Sequence, residues 1–283
     1  YDLNSISKNM CRTHVKSVIK NKNFRLLAGV DTSKKRRHVF EENCKIPAYK
    51  KFSEINLSQK VDFIIISTPT NTHLNVIKEI ISTERKIKGI LLEKPIAYKF
   101  DDAKKILKLC KTKKIKLYIN YLRIYDPAVK EIKKIIDRSI IKKPIIGNIF
   151  YSKGLKHNGS HFINLCEFWF GEMKSYKLTG ISKKINNYDF TLTVQISYRD
   201  AKINFIPYNN ELIDFQSIEL ISSNGRIYWD QNNNINFSKF NRKNYTTKNF
   251  KINNDLKLCQ LNVLSQIFSD LNNEDSIVCN GRQ

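Results

Sequence analysis

Residues 61–95 read VDFIIISTPTNTHLNVIKEIISTERKIKGILLEKP, and no other stretch constrains the fold as much. Residues 61–66 form a short apolar run without alternation, the pattern of a parallel strand covered on both faces. The run stops at Ser67-Thr68-Pro69-Thr70-Asn71-Thr72-His73, after which Leu74, Ile77, Ile80 and Ile81 recur at helical spacing. A second apolar run, Gly-Ile-Leu-Leu at 89–92, ends in Glu93-Lys94-Pro95. Strand, helix and strand in this order make a βαβ unit, whose crossover is right-handed and whose strand C-termini share one sheet edge. Ligands of open α/β sheets bind at that edge. Thr68, Asn71, His73, Glu93 and Lys94 are therefore expected around one crevice.

A length of 283 residues suits two domains better than one core. The 41% hydrophobic and 27% charged content is that of a globular chain. No apolar run approaches the roughly 20 residues that span a bilayer. The opening YDLNSISKNMCRTH has no signal-peptide core, so the chain reads as cytoplasmic and without a membrane partner. The net charge of +24 raises a nucleic-acid reading. The lysines are spread along the whole length, however, and nucleic-acid binding needs a clustered stripe, so none is expected. A basic surface still draws in anionic ligands. Cys11, Cys44, Cys110, Cys166, Cys259 and Cys279 show neither CxxC pairing nor metal-ligand spacing, and read as reduced thiols.

TPTNTH after one strand and EKP after the next resemble the Gfo/Idh/MocA family of NAD(P)-dependent oxidoreductases. The resemblance implies an α/β protein: an N-terminal Rossmann-like parallel sheet domain, then a C-terminal α+β domain with an open, mostly antiparallel sheet. The expected division is 1–120 and 121–283. Residues 25–31 read as a strand ending in Asp31, the acid that takes the adenosine ribose hydroxyls in a Rossmann unit. The glycine-rich loop expected before it is absent from the sequence given, and residues 13–22 already look like the helix that follows such a loop. Family members carry that strand and loop just before a segment like Tyr1-Asp2. The first strand and loop, and by the same comparison the last helix, are expected to lie beyond the stretch given. Were these the true ends, nicotinamide binding would be severely weakened. His14 matches a position where the family often has His, and also reads as a structural helix residue. Lys34-Lys35-Arg36-Arg37 is either a solvated helix start or a cradle for the extra phosphate of NADP. Asp31 favours NAD, with NADP as the other possibility. Cofactor contacts implied by the resemblance are Asp31, Thr32, Ser67, Thr68, Pro69, Asn71, His73, Glu93, Lys94 and Asn120. Thr68, Asn71 and His73 could equally cap a helix.

Asn120-Tyr121-Leu122-Arg123 with Asp126-Pro127 resembles the family's N-x-R-x-x-P segment, which closes the first domain. Beyond it the chain changes character. Phe190, Leu192, Val194, Ile196 and Tyr198 alternate with Thr191, Thr193, Gln195 and Ser197, the signature of a half-exposed antiparallel strand. Residues 216–222 turn at Asn224-Gly225 into residues 226–229 as a hairpin. Residues 255–271 read as a final amphipathic helix.

Gly154-Leu155-Lys156-His157-Asn158-Gly159-Ser160-His161-Phe162-Ile163-Asn164-Leu165 resembles the family's G-x-H-x-x-D-L helix, in which the His faces the substrate hydroxyl. His161 matches that His. Asn164 stands where the family has Asp, and His157 where many members carry an Asp that orients the His. His157 and His161, four apart, have the spacing of a metal pair, but no third ligand is evident and no metal is expected. The resemblance assigns Lys94, His161 and His157 to catalysis, and Arg123, Asn158 and His161 to substrate. A lysine partly desolvated beside a cationic ring has a lowered pKa suited to removing a hydroxyl proton. Imidazole titrates near neutrality, which suits His161 as a second acid/base. Each has a plainer reading, Lys94 as a surface lysine and His161 as helix-start scaffolding. Pro95 fixes the backbone beside Lys94, and a cis bond is one of the two forms open to it.

The function implied is hydride transfer between nicotinamide and a sugar-like alcohol or ketone, with a nucleotide sugar of bacterial surface-glycan synthesis as one candidate. The assembly implied is a homodimer or homotetramer. The alternative is a catalytically degenerate cofactor-binding homologue or sensor.

Overall fold

The computed structural model describes residue 11 and residues 13–56, 60–208, 216–241 and 243–281. Tyr1 and Asp2, to which the resemblance points, lie outside the described residues. The chain divides into two compact units, Tyr1–Leu122 with Lys257–Gln283, and Arg123–Leu256.

The first unit begins with helix α1 (His14–Lys20), strand β1 (Gly29–Val30), helix α2 (Lys34–Cys44) and strand β2 (Ala48–Tyr49). The strand expected over residues 25–31 pairs only at Gly29 and Val30, parallel to Ala48 and Tyr49, in a two-stranded sheet. The βαβ unit follows as strand β3 (Phe63–Ile66), helix α3 (His73–Ser82) and strand β4 (Gly89–Leu92). Helix α4 (Phe100–Thr112) and strand β5 (Lys116–Ile119) repeat the pattern. The three strands are parallel in the order β3-β4-β5, and all four residues of the middle strand are buried. This is why their sequence shows no alternation. Ile77 and Ile80 of α3 and Ile106 and Cys110 of α4 form the buried faces of the two crossovers. Ile66 pairs with Leu92 and Leu92 with Ile119, so Ser67, Glu93 and Asn120 are the first residues beyond one edge of the sheet.

The second unit holds helix α5 (Pro127–Asp137), strand β6 (Ile145–Tyr151) and helix α6 (Ser160–Phe170). Strands β7 (Ser175–Asn186), β8 (Asp189–Ser197), β9 (Ala201–Pro207), β10 (Ser217–Ser222), β11 (Gly225–Trp229), β12 (Ile235–Asn241) and β13 (Thr246–Ile252) follow. All eight strands form one sheet in the order β13-β12-β11-β10-β6-β9-β8-β7. Only β6 and β9 pair parallel; the rest is antiparallel, as expected. Along β6, Ile145, Gly147, Ile149 and Tyr151 are buried while Ile146 is 60% exposed, so one face is covered. Helices α5 and α6 meet where the Trp169 indole N–H donates to the Val129 carbonyl at 3.0 Å. Helix α6 reaches the sheet where the rings of Phe170 and Tyr198 stand 5.7 Å apart.

Three details differ from the sequence reading. The buried phase of β8 shifts: Val194, Ile196 and Tyr198 are buried, yet Thr191 is 1% exposed and Phe190 37%. The cause is pairing. Only Val194–Ser197 lie against β9, whereas residues 189–193 pair with a β7 whose register slips three times. The β10–β11 turn is Ser223-Asn224, one residue earlier than expected, because Gly225 pairs with Ser222; Asn224 accepts a hydrogen bond from the Ser222 hydroxyl.

The third concerns the C-terminal part. Helix α7 (Cys259–Leu271) belongs with the first unit, whereas the expected division put everything after residue 120 in the second domain. Its ties are polar. The Tyr118 hydroxyl donates to Asp270 at 2.6 Å, Lys116 Nζ stands 3.0 Å from the same carboxylate, and Asn21 Nδ2 donates to Ser265 at 3.3 Å. Asn280 bridges antiparallel to Tyr118, and the Ile119 N–H donates to the Cys279 carbonyl.

Candidate active site

In the first unit the polar residues gather at the C-terminal edge of β3, β4 and β5. Glu93 is their centre. His14 Nε2 lies 2.8 Å from Glu93 Oε1, Asn120 Nδ2 donates to the same oxygen at 2.7 Å, and the Lys94 N–H donates to Oε2 at 3.3 Å. Burial opposes ionisation of Glu93, but the hydrogen bonds from His14, Asn120 and the Lys94 amide, with the charge of His14, outweigh it. The carboxyl is held below its ordinary value. Lys94 itself is half-buried, and its peptide bond to Pro95 is cis.

Asn120 also donates to Gln260 Oε1 at 3.0 Å, so α7 completes the cluster. Asn120 is 2% exposed and Gln260 3%. Among the described residues, three buried atoms here have no hydrogen-bond partner: Asn120 Oδ1, Gln260 Nε2 and His14 Nδ1. An acceptor, a donor and an imidazole nitrogen left over at the sheet edge fit a polar ligand.

The turn after β3 divides its residues between two tasks. Ser67, Thr68, Pro69 and Asn71 are exposed. His73 is fully buried, with Nδ1 3.0 Å from the Ile96 carbonyl and Nε2 3.0 Å from the Thr68 carbonyl. Its ring clamps the turn to the irregular segment after Pro95, a scaffold role. Thr72 is the N-cap of α3 and makes no side-chain cap bond; its hydroxyl donates to the Pro69 carbonyl at 2.7 Å and lies 2.9 Å from the Thr68 hydroxyl.

Asp31 follows β1 and is half-buried. Its Oδ1 accepts from the Ser33 N–H at 2.8 Å, and Oδ2 lies 3.9 Å from Arg36. Arg37 donates to the carbonyls of Asp31 at 2.7 Å and Thr32 at 3.0 Å. The basic run is thus partly tied into the loop that presents Asp31, and Thr32 is exposed beside it. An acid after β1, exposed hydroxyls after β3 and a spare amide oxygen after β5 suit a nicotinamide dinucleotide in kind.

In the second unit β6 runs into a single π turn, Leu155–Gly159, that leads directly into α6. His161 is the second residue of α6 and half-buried, Asn158 is half-buried, His157 is exposed and Asn164 is 7% exposed. The π turn breaks the four-residue face that a metal pair at 157 and 161 needs, and among the described residues no three His, Cys, Asp or Glu are grouped to hold a metal. Arg123 donates to Gln216 at 2.6 Å and lies 5.0 Å over the ring of Phe162, next to His161.

Two site residues escaped the sequence reading. Gln260 had a signal, a lone polar side chain between Cys259 and Leu261 on an apolar face. Asp189, whose carboxylate accepts from the N–H groups of Lys156 and His157, had none.

The model of the GFO_IDH_MocA family, described as an oxidoreductase family with an NAD-binding Rossmann fold, matches residues 8–121. Scyllo-inositol 2-dehydrogenase (NAD(+)) of Bacillus subtilis (strain 168) is 31% identical over 116 residues, covering 37% of this chain and 32% of that protein. Inositol 2-dehydrogenase of Rhizobium meliloti (strain 1021) is 28% identical over 128 residues, covering 44% and 37%. The chain thus spans about a third of the length of the curated relatives it matches. Two solved structures share the fold across 95% of this chain and 87% of theirs, each at 14% identity. One is an oxidoreductase from Agrobacterium radiobacter in complex with NAD+, L-tartaric acid and magnesium, at a TM-score of 0.77. The other is the WlbA dehydrogenase from Bordetella pertussis in complex with NADH and UDP-GlcNAcA, at 0.71. The segment 8–121, which holds the parallel sheet and the Glu93-Lys94-Pro95 edge, is thus the part of the chain that matches the Gfo/Idh/MocA oxidoreductase family.

Proposed function

We propose that the chain is an NAD(H)-dependent dehydrogenase of a polyol or sugar-like alcohol. The observation that carries this reading is the ionised Glu93, anchored by His14 and Asn120 at the strand edge, with Lys94 beside it. Bound nicotinamide would supply the hydride acceptor. Asp31 and Thr32 would hold the adenosine ribose, Ser67, Thr68, Pro69 and Asn71 would line the dinucleotide, and Asn120 with Glu93 would fix its reactive end. Lys94 takes the hydroxyl proton, and His161 is the second acid/base. Arg123, His157 and Asn158 are assigned to the substrate.

Inositol as the substrate type is supported by the names of the relatives, and a nucleotide sugar by the basic charge of +24, which draws in anions. Asp31 favours NAD over NADP. Exposed Ile146, Tyr176 and Ile181 on the large sheet support assembly as a homodimer or homotetramer. A second reading, cofactor binding without turnover, is favoured by His157 and Asn164 in place of acids.

The test is fluorescence titration of the full-length protein and its Lys94→Ala variant with NADH and NADPH. A turnover screen over inositols, free sugars and nucleotide sugars follows. Binding by both proteins with turnover lost in the variant supports the dehydrogenase. Binding with no turnover on any substrate supports the second reading, and absence of binding overturns both.

A further inference from the structure

The helix carrying His161 begins without a cap of its own. Neither the π turn Leu155–Gly159 nor α6 has a side-chain cap bond from its leading residue. Asp189 supplies the missing acceptor from a strand that follows much later in the chain. Its Oδ1 accepts from the Lys156 N–H at 2.8 Å and the Phe190 N–H at 2.9 Å, and its Oδ2 from the His157 N–H at 2.8 Å. The side chain is 3% exposed. A carboxylate set against the free N–H groups at a helical start is favoured by the hydrogen bonds and by the field of the turn.

The backbone is shaped to admit it. Gly154 has a φ of +88°, and a Cβ there would stand 2.3 Å from Asp189 Oδ2. Only glycine both adopts that conformation readily and leaves room for the carboxylate. The strand end that bears Asp189 is fixed separately. The hydroxyl of fully buried Tyr151 donates to the Leu192 carbonyl at 2.6 Å and accepts from the Leu192 N–H at 2.9 Å. Tyr151 is the last residue of β6, so the segment leading into the turn and the first half of the turn are both held to the start of β8.

We infer that Asp189 is a positioning residue for His161 and His157. It fixes the π turn, and with it the direction in which α6 presents its first imidazole. The inference rests on the acid/base role proposed for His161. Asp189 also supplies a buried carboxylate to a segment in which His157 has taken the place of an orienting acid. An amide cannot replace it. Three N–H donors meet two acceptor oxygens, and an NH2 group in place of either oxygen would face a donor.

The test compares Asp189→Asn and Asp189→Ala with the unmodified protein by imidazole nitrogen NMR. The five histidines, 14, 38, 73, 157 and 161, give a small set of signals to assign. Shifts at His157 and His161 with His14, His38 and His73 unmoved are expected. Gly154→Ala, which crowds the same carboxylate from the other side, should move the same two. In the unmodified protein the Lys156 and His157 amides should be protected from hydrogen exchange. Unshifted His157 and His161 signals in folded Asp189→Asn would overturn the inference. So would freely exchanging Lys156 and His157 amides, a result that needs no variant to fold. On a substrate from the screen, Asp189→Asn should lower kcat about 10- to 100-fold with a smaller change in KM. If the unmodified protein turns over nothing, the dehydrogenase reading fails while the NMR result on Asp189 stands.

Discussion

One oxygen of Glu93 meets His14 Nε2 at 2.8 Å, and this contact ties the end of β4 to a helix 79 residues earlier in the chain. The Asn120 amide donates to the same oxygen, so the residue before Lys94 is held from two sides. Because the folded Glu93 carboxyl lies below its ordinary value, its ionised form stabilises the first unit. That contribution is complete above the ordinary carboxylate range and is lost as pH falls through it toward the folded value. Melting temperatures taken from neutral pH down to pH ~3, across the range set by the ordinary carboxylate pKa, should fall more steeply for the native protein than for Glu93→Gln. Parallel curves would remove Glu93 from the acid response.

Asp31 should set the cofactor preference. Its Oδ2 stands 3.9 Å from Arg36, and Arg37 already bonds the adjoining carbonyls, so cations surround the carboxylate. Asp31→Ala removes the repulsion toward a 2′-phosphate and leaves the guanidinium groups in place. The ratio of NADPH to NADH affinity should rise about tenfold or more, the effect of about 1.4 kcal/mol. Fluorescence titration of both cofactors gives the ratio directly, and an unchanged ratio would count against Asp31 as a ribose contact.

The C-terminal helix is fastened through Asp270. Tyr118 is 2% exposed and donates to that carboxylate, so Tyr118→Phe should cost about 1 kcal/mol and Asp270→Ala somewhat more. Urea unfolding of the two single variants and the double variant isolates the pair. Strict additivity would mean that the two groups do not interact in solution.

Thiol chemistry offers a simple check of the packing. Cys11, Cys110, Cys166, Cys259 and Cys279 are buried, and Cys44 alone of the six is half-exposed. Burial also pushes the Cys110 thiol up to about 11 and raises that of Cys166 further, away from the reactive thiolate. A thiol-reactive disulfide reagent should modify one cysteine in the native protein, slowly because burial raises Cys44 as well, and all six in denaturant. Several fast thiols in the native state would contradict the burial.

The parallel core was legible because β4 is buried from end to end, and a strand with no wet face writes an unbroken apolar run. Lys94 and His161 stood out for a different reason, since each lies in a short motif whose residues adjoin in sequence, and their roles remain proposals. The helix at 259–271 was legible as a helix but not as part of the first unit. An apolar face declares that it will be buried without naming the core that buries it. Tertiary contacts decide that, among them the ring pair Phe24–Phe268 and the hydrogen bonds Tyr118–Asp270 and Asn120–Gln260, and they leave no periodic trace. Asp189 stayed hidden likewise, because its partners are main-chain N–H groups that any residue could offer. The β8 phase failed where pairing with an irregular neighbour overrode alternation.

The first unit is built from two stretches of chain, with the second unit inserted between them. On the ribosome this makes completion a late event. The inserted sheet is fully synthesised while Tyr118, Asn120 and the edge of β5 still await Asp270, Gln260 and Asn280. Until then the nascent first unit carries an open strand edge, the surface on which unfinished chains misassemble. Gln260, Asp270 and Asn280, made after the inserted sheet, are the ones that close it.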